Sequence, residues 1–431
     1  MESLDSMVGA EPMVAERLER LTDYPFARLR ALLDGVQPPQ GREPISMAVG
    51  EPQDPCPDFV ANILAEHRAD WNRYPPVGGT PAHNQACLGW LRRRFGAVAD
   101  GLTPDQVLPL SGTREGMFLA AQALVPERKA GRQPVVCLPN PYYAGYEGSA
   151  VMSGAEPVYL DCRAETGFLP DLDALDPSLL ARTALFFLCS PTNPQGVIVQ
   201  RDYLVRLIGL ARQHRFVLAV DECYVEIYGD RKPIGALEAA EGDLTGLLLF
   251  QSLSKRSNAA GLRAGFVVGD RALIEPQRRL RSYSAACMPL PVQAAAAALW
   301  DDDTHVAGVR DRYRQRFDAA CAALAPHLSY QRAEAGFFLW LDVGDGVETA
   351  AALWREAGIR VLPGAFLSKA GPDGRSVGDR YVRIAVVHDP ETIAEAMGRA
   401  APILGQSREK AAADLSTTSN DEARRERAGG L

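Results

Sequence analysis

The chain has 431 residues, a formal net charge of −8, 47% hydrophobic and 23% charged residues, the balance of a globular protein with ample length for a sizeable core. That acidic balance leaves no electrostatic footprint for nucleic acid, and the longest apolar runs, such as 294–300, are far too short to cross a bilayer. The first ten residues lack the basic and apolar regions of a signal peptide, and eight cysteines scattered without a CxxC pair read as small hydrophobes in a reducing, cytoplasmic compartment.

In chain order, residues 1–12 are expected to be disordered and 13–48 to form an N-terminal arm that also closes part of a small domain. Helical patterns follow at 60–69 and 116–124, then strand-like runs at 134–138, 156–160 and 184–189. A helix at 202–214 precedes further apolar runs at 216–220, 246–250 and 264–268, and a helix at 291–300 closes the series. This alternation predicts an α/β fold: a large, mainly parallel sheet sandwiched by helices, over residues 49–295. From 303 the character changes. A long amphipathic helix at 303–325, a strand at 336–343, a helix at 348–357 and strands at 359–362 and 381–386 predict a smaller α+β domain over 296–405. Residues 406–431, rich in Glu, Arg, Ser, Thr and Ala with almost no large apolar residue, are expected to be disordered.

Four features fall at the ends of the apolar runs, where open α/β sheets build their sites. They are Ser190-Pro191-Thr192-Asn193-Pro194-Gln195-Gly196, Asp221-Glu222-Cys223-Tyr224, Ser252-Leu253-Ser254-Lys255, and Gly261-Leu262-Arg263. Each fragment alone is a weak signal, but their order and spacing together are specific. In them the sequence resembles the fold-type I pyridoxal 5′-phosphate (PLP) enzymes, the class I/II aminotransferases, over residues 13–405. The resemblance implies a PLP-dependent transferase (aspartate aminotransferase-like) fold, PLP as cofactor, amino acid and keto acid substrates, and a homodimer.

The resemblance gives each residue a role with a physical reason. Lys255 is the amine that bonds the cofactor and later shuttles a proton, and it is one of only five lysines, beside Lys129, Lys232, Lys369 and Lys410. Asp221 pairs with the pyridine nitrogen, while Asn193 and Tyr224 bond the ring oxygen. Ser111, Gly112, Thr113 and Arg114 open a helix whose N–H groups cradle the phosphate, aided by Ser252, Ser254 and Arg263. Tyr143 stacks on the ring, Tyr74 reaches the phosphate from a neighbouring subunit, and Arg383 clamps the substrate carboxylate near Gly50. The six histidines show no metal-ligand spacing, and Arg92-Arg93-Arg94 reads as a solvated helix face.

A finer resemblance, to bacterial N-succinyldiaminopimelate aminotransferases, is carried by the stretches 23–33, 49–52, 74–80, 282–284 and 288–293. It implies exchange between glutamate and N-succinyl-2-amino-6-oxopimelate in lysine and diaminopimelate biosynthesis. That substrate carries anionic groups far from the reacting carbon, and Arg281, with Tyr24 or Arg28, is the candidate to hold them. Cofactor motifs alone leave open an aminotransferase for aspartate, aromatic or N-acetylated substrates, and a carbon–sulfur β-lyase. A regulatory protein would need a basic winged-helix segment, for which residues 1–12 are too short and acidic.

Overall fold

The computed structural model describes residues 14–284, 287–330 and 332–428, with side chains through Ala413; the expected disorder of 1–12 lies outside the described residues. A short strand β1 (Ile45–Ser46) precedes β2 (Val107–Leu110), β3 (Val135–Asn140), β4 (Glu156–Asp161), β5 (Thr183–Cys189), β6 (Val217–Asp221), β7 (Leu247–Ser252) and β8 (Gly265–Gly269). The last seven form one sheet in the order β2-β8-β7-β6-β5-β3-β4. Strands β3 to β7 run parallel, and β8 is antiparallel to both β7 and β2.

Every side chain of β5 and β7 is buried, which explains why these strands read as continuous apolar runs: helices cover both faces of the sheet. On one face the helices Pro81–Phe95 and Leu290–Asp301 bring Trp90 and Trp300 against Phe266. On the other, Thr113–Leu124 and Ala144–Met152 contribute Met117, Tyr146 and Ala150. The first of these helices is started by Thr80, whose hydroxyl accepts from the His83 N–H, with Pro81 at the first helical position.

Register brings the site segments to one edge. Cys189, Asp221 and Phe250 lie side by side at the carboxyl ends of β5, β6 and β7. Because β8 is antiparallel to both neighbours, β2 points the same way as β7. Gly265 therefore sits between Leu110 and Ser252, and the turns at 111–114, 252–255 and 261–263 meet there.

The smaller sheet has the order β11-β12-β9, from β9 (Phe338–Asp342), β11 (Leu362–Pro363) and β12 (Tyr381–Ala385), all antiparallel. Strand β10 (Ile359–Arg360) pairs in parallel with β1. The Met47 N–H then bonds the Arg360 carbonyl and the Met47 carbonyl accepts from the Ala385 N–H, at 2.8 and 2.7 Å. Those bonds stitch the N-terminal segment onto the small unit and aim residues 48–50 at the cleft.

Three expectations change. Strand β2 escapes the sequence pattern because it has four residues including Pro109, which an edge strand tolerates. The expected boundary between 295 and 296 cuts the helix Leu290–Asp301, whose Ala295, Ala296, Leu299 and Trp300 pack under the large sheet. The change of core comes with the next helix, Thr304–Leu324, which buries Val309, Phe317 and Leu324 among the small unit's side chains. Finally, the 406–431 segment is not a coil through 428: its backbone continues the helix Pro390–Ala428. A shortage of apolar residues argues against burial, but residues 406–428 contain neither Gly nor Pro and are rich in helix formers. The start of this segment is anchored, with Arg408 donating to the Ser329 carbonyl at 2.7 Å. No helix among the described residues is long and apolar enough to cross a membrane.

Candidate active site

A cleft of about 430 Å³ lies between the carboxyl edge of the large sheet and the small unit. Lys255 enters it from the short helix Leu253–Arg256 that caps β7, where the Ser252 hydroxyl accepts from the Ser254 N–H at 3.1 Å. Its Nζ donates to the Gly50 carbonyl at 2.6 Å. Burial pulls this amine down from its usual 10.5 to about 8; Glu51 opposes the shift, and Arg383 and Arg114 reinforce it. A lysine so placed has a sizeable neutral, nucleophilic fraction near neutral pH.

Asp221 ends β6 in the same cleft and is buried. Its Oδ2 accepts from the Tyr146 hydroxyl at 2.8 Å and its Oδ1 from the Cys223 N–H at 3.2 Å. Burial raises its pKa, against the pull of those two donors and of Lys255. A carboxyl held towards its neutral form by desolvation is suited to share a proton with a basic ring nitrogen, and pairing relieves the cost of burying its charge. Sequence reasoning missed Tyr146. The available signal was spacing: it lies three residues beyond Tyr143, one helical turn along the same face of Ala144–Met152. Its ring stacks on Phe187 at 4.7 Å and 7°, which fixes the hydroxyl under the carboxylate.

At the joined turns, Gly112 is the N-cap of Thr113–Leu124 with φ +90°. A Cβ there would lie 2.0 Å from Nη2 of Arg263, so only glycine lets that guanidinium approach the helix N-terminus. Arg263 is tied to the Ala260 carbonyl at 2.9 Å. Thr113, Ser252, Ser254 and Arg263 line the cleft, with Ser111 and Gly112 directly behind in the chain. N–H groups of a helix opening, hydroxyls and a guanidinium give this corner the kinds of donor that a phosphate takes.

Arg383 comes from β12, opposite Trp340 and Leu362. It is buried, with Nη2 donating to the Ala48 carbonyl at 2.9 Å and Nη1 to Asn193 Oδ1 at 3.4 Å. Its Nε has no hydrogen-bond partner among the described residues. Burial alone drags its pKa to about 10. An incompletely satisfied guanidinium at a cleft wall is a waiting anion site. Asn193, Tyr224, Tyr143 and Gly50 line the same space, and a Cβ on Gly50 would meet the Phe338 ring at 2.4 Å.

Other expected residues stand elsewhere. Tyr74 is fully exposed and does not line the cleft of its own chain. The Arg114 side chain bonds the hydroxyls of Tyr143 and Tyr24 instead of turning to the phosphate corner. Arg281, the candidate for the distal anionic groups, does not line the cleft: it is buried and paired with Glu115 at 2.8 and 2.9 Å. Arg28 lies over the Phe366 ring and outside the cleft lining, whereas Tyr24 does line it. Arg94 is also no solvated residue, being buried against Glu226 at 3.1 Å. Replacing Arg281 with alanine is expected to cost about 3 kcal/mol in denaturant unfolding by leaving Glu115 without its partner. The same variant is expected to keep its Michaelis constant for the succinylated keto acid.

A near-neutral buried amine, a buried carboxyl and a phosphate corner in one cleft are the donor set for a phosphorylated pyridine aldehyde. The chain belongs to the aminotransferase class I and II family, whose model matches residues 42–399, and its cofactor is accordingly PLP. It is 37% identical over 358 residues to the 4-dedimethylamino-4-oxo-anhydrotetracycline transaminase OxyQ of Streptomyces rimosus, covering 82% of this chain and 92% of the relative. It is 30% identical over 400 residues to an LL-diaminopimelate aminotransferase of Oleidesulfovibrio alaskensis, covering 90% and 99%. Among solved structures, an aminotransferase from Neisseria meningitidis superposes with a TM-score of 0.84 at 37% identity, over 90% of this chain and 99% of that one.

Proposed function

We propose that the chain transfers the amino group between glutamate and N-succinyl-2-amino-6-oxopimelate, giving 2-oxoglutarate and N-succinyl-LL-2,6-diaminopimelate. PLP, when bound, supplies an electron-poor ring that stabilises negative charge at the substrate Cα. Lys255 holds it covalently and then carries the proton at that carbon; Asp221 keeps the ring nitrogen charged. Tyr224 and Asn193 orient the ring oxygen, and Tyr143 covers the ring. Ser111, Gly112, Thr113, Ser252, Ser254 and Arg263 hold the phosphate, and Arg383 with Gly50 and Asn193 takes the substrate carboxylate.

The observation that carries these roles is the convergence on one cleft of Lys255 from the short helix after β7, Asp221 from the end of β6 and Arg383 from β12. The substrate rests on the stretches 23–33, 49–52 and 74–80 and on the likeness to LL-diaminopimelate aminotransferases. A homodimer completes the site, because a fully exposed Tyr74 with no role in its own cleft is free to reach a partner's phosphate. Eight unpaired cysteines suit a reducing cytoplasm.

A donor–acceptor panel on the purified holoenzyme tests the assignment, with the succinylated keto acid expected to give the highest kcat/KM. A higher value for its N-acetyl analogue, or for an aspartate or aromatic acceptor, reassigns the substrate. Pyruvate released from cystathionine without a keto acceptor indicates the β-lyase instead. The amine itself has a pH signature. Its neutral form grows as pH rises, so uptake of PLP by the apo-protein is expected to accelerate through about pH 8 and level off above it. Stopped-flow absorbance reads this directly, and a midpoint at the ordinary lysine value of 10.5 contradicts it.

A further inference from the structure

We propose that His305, oriented by Asp302 and bonded to Ser257, positions Lys255: the three form a hydrogen-bonded chain that ties the lysine's short helix to the junction between the large and small units. This rests on Lys255 as the cofactor-bearing amine and concerns what holds that amine in place.

None of the three lines the cleft. Ser257 ends the helix Leu253–Arg256, its N–H donating to the Leu253 carbonyl at 3.1 Å, and it is completely buried. Ser257 Oγ lies 2.8 Å from His305 Nε2, and His305 Nδ1 lies 2.6 Å from Asp302 Oδ2. A carboxylate only accepts, so Nδ1 carries a proton. Burial lowers the His305 pKa, against the pull of Asp302, and a neutral ring leaves Nε2 to accept from the Ser257 hydroxyl. The charged neighbours of the ring are Asp302 and Asp303 at the junction and Arg256 on the lysine's helix, and its edge meets Phe59 at 6.4 Å.

Both residues that follow Lys255 are gripped in this way. Arg256 is buried, donating to the Leu299 and Asp302 carbonyls at 2.6 and 3.2 Å and to Asp303 Oδ1 at 2.5 Å. Asp302 and Asp303 connect the helix Leu290–Asp301, packed under the large sheet, to Thr304–Leu324, packed in the small unit. A four-residue helix is too short to hold its own direction, so Lys255 takes its aim from these contacts. Loosened, the amine regains water and loses the burial that brings its pKa from 10.5 to about 8, among Cys223, Glu51, Arg383, Arg114 and Asp221.

Stopped-flow uptake of PLP by the apo-protein reads the amine, and steady-state turnover of the holoenzyme with glutamate reads the chemistry. His305→Ala is expected to raise the pH midpoint of uptake by about one pH unit. It is also expected to lower kcat about tenfold or more, with the glutamate KM within about twofold. Ser257→Ala is expected to copy both changes, and the double variant to be no worse than either, since each breaks the same chain. The amide nitrogen of glutamine reaches where Nε2 stands, and that of asparagine where Nδ1 stands. His305→Gln, keeping the bond to Ser257, is expected to restore the midpoint, and His305→Asn, keeping only the bond to Asp302, to behave as alanine does. Should His305→Ala not fold, Ser257→Ala carries the same midpoint test. An unmoved midpoint overturns the proposal, as does asparagine restoring as much as glutamine, for the histidine then only caps its own helix. A wild-type protein whose borohydride-fixed PLP lies on another lysine defeats the reading of Lys255 itself, before any variant is made.

Discussion

Replacing Lys255 with alanine is expected to abolish the visible absorption of covalently bound PLP and to lower kcat by at least about 10⁴-fold, the scale for removing a group that acts both covalently and in proton transfer. No other lysine can substitute. Lys129 donates to the Thr183 and Arg215 carbonyls, Lys232 to the Arg94 carbonyl and Lys369 to Thr22, all outside the cleft. Lys410 lies exposed on the C-terminal helix. The reactivity proposed for Lys255 comes from its surroundings: a buried amine with Arg383 and Arg114 nearby loses its proton far more readily than a solvated one. A variant that keeps both the absorption band and turnover would refute the assignment of Lys255.

Changing Asp221 to asparagine is expected to separate cofactor attachment from chemistry. Lys255 is untouched, so the absorption of bound PLP persists, whereas kcat falls by about 10²–10³-fold, the equivalent of losing one buried ionic partner. Asparagine keeps the shape and accepts from Tyr146, but cannot hold a positive ring nitrogen. Single-turnover measurements with glutamate check this. A loss confined to the Michaelis constant would mean that Asp221 positions substrate and leaves ring electronics alone.

Much of this site was legible in the sequence because its parts sit at strand ends. The buried strands β5 and β7, and β6 from Leu218 onward, announce themselves as apolar runs, and the residues that end them, from Ser190, Asp221 and Ser252 onward, have little freedom in direction. Gly112 and Arg383 were legible for a related reason, one as a helix opening and the other as a charge in an apolar strand. Long side chains on helices were not. Arg114, Arg281 and Arg94 each find partners fixed only by tertiary structure, Glu115 lying 166 positions from Arg281. Tyr146 was hidden because a tyrosine on a buried helix face reads as packing until the carboxylate above it is seen. The helix through residue 428 shows that apolar content predicts burial better than it predicts local backbone structure.

The central claim is that one amine, Lys255, carries the cofactor. Reducing the PLP-loaded protein with borohydride fixes the linkage, and mapping the resulting peptides by mass spectrometry locates it. A single pyridoxyl group on the peptide containing Lys255 is the predicted result; the group on Lys129, Lys232, Lys369 or Lys410 with Lys255 unmodified would contradict the account.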